Sequence, residues 1–268
     1  MSTQPQSAAE RMPDPATPFA GRTAVVTGAG RGLGRAVALG LAAAGARVAL
    51  LARSREQLDR VAAELADTAG GGVVVAADLA QPDEFPRLLA RVADELGPVD
   101  ILINNAALIA PVGPTVSVDP DAWAAVFTVN VVAPVRLTVA LLPAMLTRGW
   151  GRVVNVSSGV AAHPGSLIGL NAYTASKAAL EAHSLNLAAE IAHSGVTVNV
   201  YRPGRVDTSM QEWIRTRDRA TAGAALVDRF TDDHAAGRLM PADQSAAALL
   251  RRLPGPDTGR IWSVTDPE

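Results

Sequence analysis

The stretch from Thr23 to Gly45 constrains the fold of this chain more than any other. A short, apolar, β-branched run, Thr23–Thr27, passes into the turn Gly28-Ala29-Gly30-Arg31-Gly32-Leu33-Gly34. An Ala/Leu-rich helix over 35–44 follows, with Gly45 placed to close it as its C′ residue. In such a turn one glycine permits the tight bend and one lets backbone approach a pyrophosphate. A third lets the helix pack close to the strand, and the helix N-terminus offers free N–H groups to an anion. The spacing is Thr27-Gly28-x-x-x-Gly32-x-Gly34, with Leu33 where GxGxxG would put its third glycine. A glycine-rich turn without a ligand is the alternative. Its place directly between a strand and a helix favours binding.

The rest of the chain repeats this strand–helix alternation. Apolar runs at 47–51, 73–77, 101–103, 152–156, 197–201 and 261–264 are separated by helical patterns at 54–68, 82–96, 119–148, 171–194 and 241–253. Ser54 and Asp119 are N-cap candidates, and Pro134 and Pro143 are expected to kink or split the long helix. Strand runs apolar on both faces belong to parallel sheets buried between helix layers. The expected fold is therefore α/β: one doubly wound (Rossmann) parallel sheet of about seven strands with helices on both faces. Residues 1–19, rich in Pro, Gln, Ser and Ala, read as a disordered tail, and 20–268 as a single domain. The polar, irregular segment 207–237 reads as a substrate lid whose Met210, Trp213, Ile214, Leu226 and Phe230 form an apolar face.

Composition removes other classes. With no cysteine, disulfides, thiolate metal sites and a Cys nucleophile are excluded. Net charge is −2, so no electrostatic footprint for nucleic acid is expected. No uninterrupted apolar run reaches the roughly 18 residues of a membrane span; charges such as Arg47 and Arg136 break the longest ones. No secretory leader pattern opens the chain, and the expected location is the cytoplasm. His163, His183, His193 and His234 lack metal-ligand spacing, so no metal site is expected. GxSxG and Walker A motifs are missing; in Gly165-Ser166-Leu167-Ile168-Gly169 the serine stands in the wrong place.

The second strand bears on cofactor choice. A reader of a ribose 2′-hydroxyl would be an acid at its end, but the run closes Leu50-Leu51-Ala52-Arg53. Arg53 and Arg31 are two guanidiniums suited to a 2′-phosphate. NADP(H) is expected over NAD(H), with two surface arginines in an Arg-rich chain as the alternative.

Lys177 is the chain's sole lysine, and Tyr173 lies four residues before it on the same helix face. A phenol titrates near ~10 and needs a cation nearby to work as an acid-base group at neutral pH. Ser157-Ser158 end the fifth strand run, where doubly wound sheets bind ligands.

The chain resembles the short-chain dehydrogenase/reductase family, in the branch that includes the 3-oxoacyl-acyl-carrier-protein reductases. The resemblance runs through the glycine turn, Asp78-Leu79, Asn104-Asn105-Ala106, Asn130, Val154-Asn155-Val156-Ser157-Ser158, Tyr173-Thr174-Ala175-Ser176-Lys177 and Pro203-Gly204-Arg205-Val206-Asp207-Thr208. It implies Tyr173 as general acid-base, Lys177 as its pKa-lowering partner and ribose ligand, Ser158 rather than Ser157 orienting the carbonyl, and Asn130 holding a water. It implies cofactor contacts from Gly28, Arg31, Gly32, Leu33, Gly34, Arg53, Asp78, Leu79 and Asn105. Tyr173, Lys177, Pro203, Val206 and Thr208 complete that set. Ala107 stands where the family has glycine, which puts a Cβ into that loop. The loop carrying His163 and Pro164 is a local insertion expected to shape the substrate entrance. The activity implied is NADP-linked carbonyl reduction or alcohol oxidation. A same-fold isomerase or dehydratase and a non-catalytic cofactor-binding regulator are the alternatives. A small carbonyl or alcohol is the expected partner. A homodimer or homotetramer is expected through the helices 119–148 and 171–194, whose Ala178, Ala182 and Ala189 allow close approach.

Overall fold

A computed structural model describes residues 17–68 and 70–267. Seven strands form one sheet: β1 (Thr23–Thr27), β2 (Arg47–Ala52), β3 (Gly72–Ala76), β4 (Ile101–Asn104), β5 (Gly151–Val156), β6 (Val196–Arg202) and β7 (Ile261–Ser263). Their order is β3-β2-β1-β4-β5-β6-β7, and every pairing is parallel. Alternate residues of a strand face opposite layers. Ala24 and Val26 join the core beneath α1 (Gly32–Ala43), α2 (Arg55–Leu65) and α10 (Ala242–Arg252), where Val37, Leu41, Leu58 and Leu249 pack. Val25, between them, faces α3 (Phe85–Leu96), α5 (Ala133–Arg148) and α6 (Asn171–Glu190). Burial on both faces is why these strands read as continuous apolar runs. The order reverses on either side of β1, so the carboxyl ends of β1 and β4 flank the crevice where such sheets bind ligands.

Local details follow the sequence at several points. Ser54 caps α2, accepting from Gln57 N at 3.3 Å. Gly45 follows α1 at φ 91°, a conformation that favours glycine. Other expectations need correcting. Phe19, assigned to the tail, is 1% exposed and its N–H donates to Ala44 O at 3.0 Å, so folded structure includes it. The rest of that tail expectation, residues 1–16, lies outside the described residues. The segment 207–237 is not irregular but helical, in α7 (Ser209–Arg215), α8 (Arg219–Ala222) and α9 (Ala224–Ala235).

The long helix neither breaks nor splits. It runs as α4 (Pro120–Phe127), a π-helical turn (Thr128–Val132) and α5, with Pro134 in the first turn of α5 and Pro143 inside it. Pro134 directly follows the π-helical turn, where the hydrogen-bond ladder already departs from the α pattern. This path is also long and apolar enough to cross a membrane by length and composition. One 18-residue window has mean hydropathy 1.9 although Arg136 interrupts the apolar run. Here 39% of that window is buried in the fold. Leu137 and Leu141 pack on the sheet, while Val132, Val139 and Leu146 stand exposed.

Candidate active site

A cavity of about 800 Å³ runs along the carboxyl ends of the strands. Its wall at β1 is the glycine turn. Gly28 (φ 67°) and Gly32 (φ 54°) occupy the left-handed region, which explains those two glycines. Gly34 has a different reason: a Cβ there would lie 2.2 Å from Gly28 O and 2.5 Å from Asn105 Nδ2. Asn105 stitches the turn to β4, its Nδ2 donating to Thr27 O at 2.9 Å and its own N–H donating to Thr27 Oγ1 at 2.9 Å. Arg31 is the N-cap of α1, and its side chain accepts nothing from the first-turn amides. The turn therefore presents backbone donors and a positive helix end to the cavity, a fit for phosphate.

Beyond β2 the wall is Ala52, Arg53, Asp78 and Leu79. Arg31 and Arg53 are exposed, and neither side chain has a hydrogen-bond or ion-pair partner among the described residues. An arginine fork without an anion suits a doubly charged phosphate. Asp78 turns its Oδ1 to Ala80 N at 3.0 Å, which shapes the bend after β3.

The centre of the cavity holds Ser158, Tyr173 and Lys177 together. Burial pushes the Tyr173 phenol up to about 12, while the Ser158 hydroxyl pulls the other way. Lys177 is 2% exposed; its Nζ donates to Val156 O at 2.7 Å and lies 5.7 Å from the Tyr173 ring centre. Burial pushes this ammonium down to about 8, with Glu181 raising it. Desolvation is the largest influence on the phenol in this geometry, and the ammonium is engaged with a backbone carbonyl.

Asn130 and Ser157 both make hydrogen bonds within the fold. Asn130, in the π-helical turn, donates from Nδ2 to Leu108 O (2.9 Å) and Ser176 Oγ (3.0 Å) and accepts from Leu108 N (2.7 Å). Its side chain is fully buried and ties the loop after β4 to the helix of Tyr173 and Lys177. Ser157 Oγ donates to Glu181 Oε1 at 2.7 Å, which sets it apart from Ser158.

Glu181 was not singled out in the sequence. Its carboxylate also receives Arg202 Nε at 2.8 Å and Nη2 at 2.7 Å. One buried acid thus links the end of β5, the end of β6 and α6 one turn beyond Lys177. The signal was present as the repeat 173, 177, 181 on a single helix face.

At the β6 end the wall is Pro203, Arg205, Val206, Thr208, Arg229 and Asp233. Val206 is pinned by a parallel bridge to Met240. Ile214, Leu226 and Phe230 pack with Ile109, Val160, Leu170 and Tyr173, with Met210 and Trp213 against them. His163 lines the same cavity. Ala107 introduces no strain, because His193 is the only non-glycine with positive φ among the described residues. No cluster of three or more metal-ligating side chains occurs among the described residues.

The fold and the cavity now stand beside what is known of similar chains. Residues 22–219 match the short chain dehydrogenase family. A short chain dehydrogenase of Pseudocercospora fijiensis is 42% identical over 192 residues, 71% of this chain and 61% of that protein's own length. A 3-oxoacyl-[acyl-carrier-protein] reductase of Haemophilus influenzae is 32% identical over 91% of this chain and 95% of the other. Among solved structures, L-sorbose reductase from Gluconobacter frateurii, complexed with NADPH and L-sorbose, superposes with a TM-score of 0.81. It is 26% identical, covering 92% of this chain and 96% of that one. The chain belongs to the short-chain dehydrogenase/reductase family of oxidoreductases.

Proposed function

We propose that this protein is an NADP(H)-dependent reductase of ketones or aldehydes, running in reverse as an alcohol dehydrogenase. The observation that carries the reading is Tyr173 in one cavity with Ser158, Lys177 and the glycine turn.

When bound, NADP(H) supplies or accepts the hydride. The glycine turn, with Gly28, Arg31, Gly32, Leu33 and Gly34, holds the pyrophosphate; Arg31 and Arg53 take the 2′-phosphate. Asp78, Leu79 and Asn105 hold the adenosine. Tyr173 and Lys177 hold the nicotinamide ribose, and Pro203, Val206 and Thr208 clasp the amide. Ser158 Oγ donates to the substrate's carbonyl oxygen. Tyr173 keeps its proton across the neutral range and gives it to that oxygen as the carbonyl carbon is reduced. Lys177 stabilises the phenolate left behind. Asn130 holds the helix in place through Leu108 and Ser176, and the helices 209–235 close over the substrate with their apolar face.

Loss of NADPH absorbance with a panel of ketones and aldehydes tests the reading. At least one carbonyl compound is expected to drive steady NADPH oxidation; a folded protein that consumes no NADPH with any of them contradicts it. We also propose a homodimer or homotetramer. Val132, Val139, Leu146 and Leu185 are exposed on the two long helices, beside exposed Ala182 and Ala189. Light scattering at micromolar concentration is expected to give a multiple of the monomer mass, and a monomer mass contradicts this.

A further inference from the structure

The β6 end of the cavity carries more positive charge than its neighbours neutralise. Asp233, with a side chain only 8% exposed, faces three guanidiniums. Arg238 Nε makes the shortest contact, donating to Oδ1 at 2.7 Å. Arg205 reaches Oδ1 through Nη1 at 3.4 Å, and its Nε lies 3.4 Å from Oδ2. Arg229 Nε also lies 3.4 Å from Oδ2. Three cations on one carboxylate leave a local surplus of two charges.

Arg205 and Arg229 line the cavity with Asp233, and Arg238 does not. A guanidinium has five N–H donors. Asp233 occupies at most two on Arg205 and one on Arg229, so both retain free donors, and both side chains are about half exposed. Among the described residues the only other carboxylate on the cavity wall is Asp78, just past β3. β3 and β6 are five strand spacings apart, about 24 Å. Nearby acids do not compensate: Asp228 is paired with Arg219, and Asp207, Glu212 and Asp232 are not on the wall. Arg238 ties Asp233 to the turn after α9 and Arg205 ties it to the turn after β6, yet these contacts use only part of the donors on Arg205 and Arg229. Phe230, adjacent to Arg229 in sequence, packs in the apolar cluster that contains Tyr173, Ile109 and Val160. A ligand reaching from the Tyr173 hydroxyl to the two arginines would cross that apolar surface.

We infer that Arg205 and Arg229 form a carboxylate-binding subsite, and that the substrate is an oxo acid, or the matching hydroxy acid, with an aliphatic stretch between its carbonyl and its carboxylate. This rests on the carbonyl-reductase reading above. In the reductive direction the carbonyl carbon takes the hydride of NADPH and the oxygen takes a proton from Tyr173. The products are the hydroxy acid and NADP⁺; the carboxylate is unchanged and bound. Arginine suits this task because its planar fork meets a carboxylate with two parallel hydrogen bonds.

The test compares acetoacetate, levulinate and their longer homologues, each against its own methyl ester, as substrates of the wild-type protein with NADPH. In at least one pair kcat/KM is expected to favour the acid by about tenfold or more, the scale of one charge-assisted hydrogen bond. That acid-to-ester ratio is expected to fall toward one in Arg205→Gln and in Arg229→Gln. It is expected to persist in Arg219→Gln, which removes a surface charge away from the cavity. Calorimetric titration of the same acids and esters into the protein with NADP⁺ separates the two readings. Acids that bind at least tenfold tighter than their esters, with no carbonyl reduced, uphold the subsite and overturn the reductase reading. Esters bound and reduced as well as acids overturn the subsite and leave the reductase reading in place. Binding of neither, or a stronger preference for a ketone phosphate ester, overturns the carboxylate assignment. The wild-type comparison stands even if an arginine variant fails to fold.

Discussion

Cofactor choice is the property most sensitive to two side chains. Arg31, in the glycine turn after β1, and Arg53, just past β2, have exposed side chains with no partner among the described residues, and Ala52 occupies the place an acid would take. A charge-assisted hydrogen bond contributes roughly 1.5–3 kcal/mol. Both guanidiniums face solvent, and salt screens them within about 8 Å at physiological ionic strength, so the lower end applies. A net preference of about 1.4 kcal/mol gives NADPH roughly a tenfold tighter Kd than NADH. If the two arginines share it equally, Arg53→Ala leaves roughly threefold. Ala52→Asp is expected to invert the order, since the carboxylate accepts the ribose hydroxyls and repels the phosphate. Fluorescence titration of both reduced cofactors on the three proteins, at low and high salt, measures this. The preference is expected to shrink as salt rises. Equal or tighter NADH binding to the wild type refutes the assignment.

Other consequences follow from the same geometry. Glu181→Gln removes the anion from Arg202 while leaving an amide in its place; a loss of roughly 3 kcal/mol lowers Tm by about 6–12 °C. The same change removes the charge that raises Lys177, so any activity inflection set by Lys177 is expected to move to lower pH; an unmoved inflection contradicts the link. In the wild type, Tyr173 keeps its proton to about 12 while Lys177 loses its own near about 8. Reductive kcat/KM is therefore expected to hold to about pH 7.5 and fall above about pH 8, and a flat profile to pH 10 contradicts the Lys177 role. Gly34→Ala forces a Cβ against Gly28 O and is expected to cost about 1–3 kcal/mol in urea unfolding. Gly165→Ala, with open space and ordinary φ, is expected to stay within about 0.5 kcal/mol of wild type, which makes it the control.

The elements that can be read from residues are those whose signal is local. β1, the glycine turn and α1 carry their apolar run, their left-handed glycines and their packing glycine in consecutive positions, and the structure places them as read. Ser54 and Gly45 mark helix ends by side-chain chemistry that acts within a few residues. In 209–235 the apolar face of Met210, Trp213, Ile214, Leu226 and Phe230 was legible, but the helices were not, because the polar and charged residues between them hide the helical period. Asp218 was the available sign: its side chain accepts from Ala220 N and Thr221 N. Phe19 was hidden among tail residues, since only the tertiary fold supplies the pocket behind Ala44. Long-range chemistry was least legible. The link from Ser157 to Glu181 to Arg202 joins three elements separated by up to 45 positions, and no local pattern reports it. The burial of Tyr173 was not legible either, because spacing shows which charges are near but not how much water is excluded.

The central claim is that Tyr173 supplies the proton for carbonyl reduction. The most direct measurement is the turnover of Tyr173→Phe with saturating NADPH and the best carbonyl substrate found for the wild type, alongside its Tm and its NADPH affinity. The phenyl ring preserves the packing against Ile109, Val160 and Phe230, so fold and cofactor binding are expected to persist while kcat falls by roughly 10²–10⁴. A folded, NADPH-binding Tyr173→Phe protein that retains kcat within a few-fold of wild type would contradict the account.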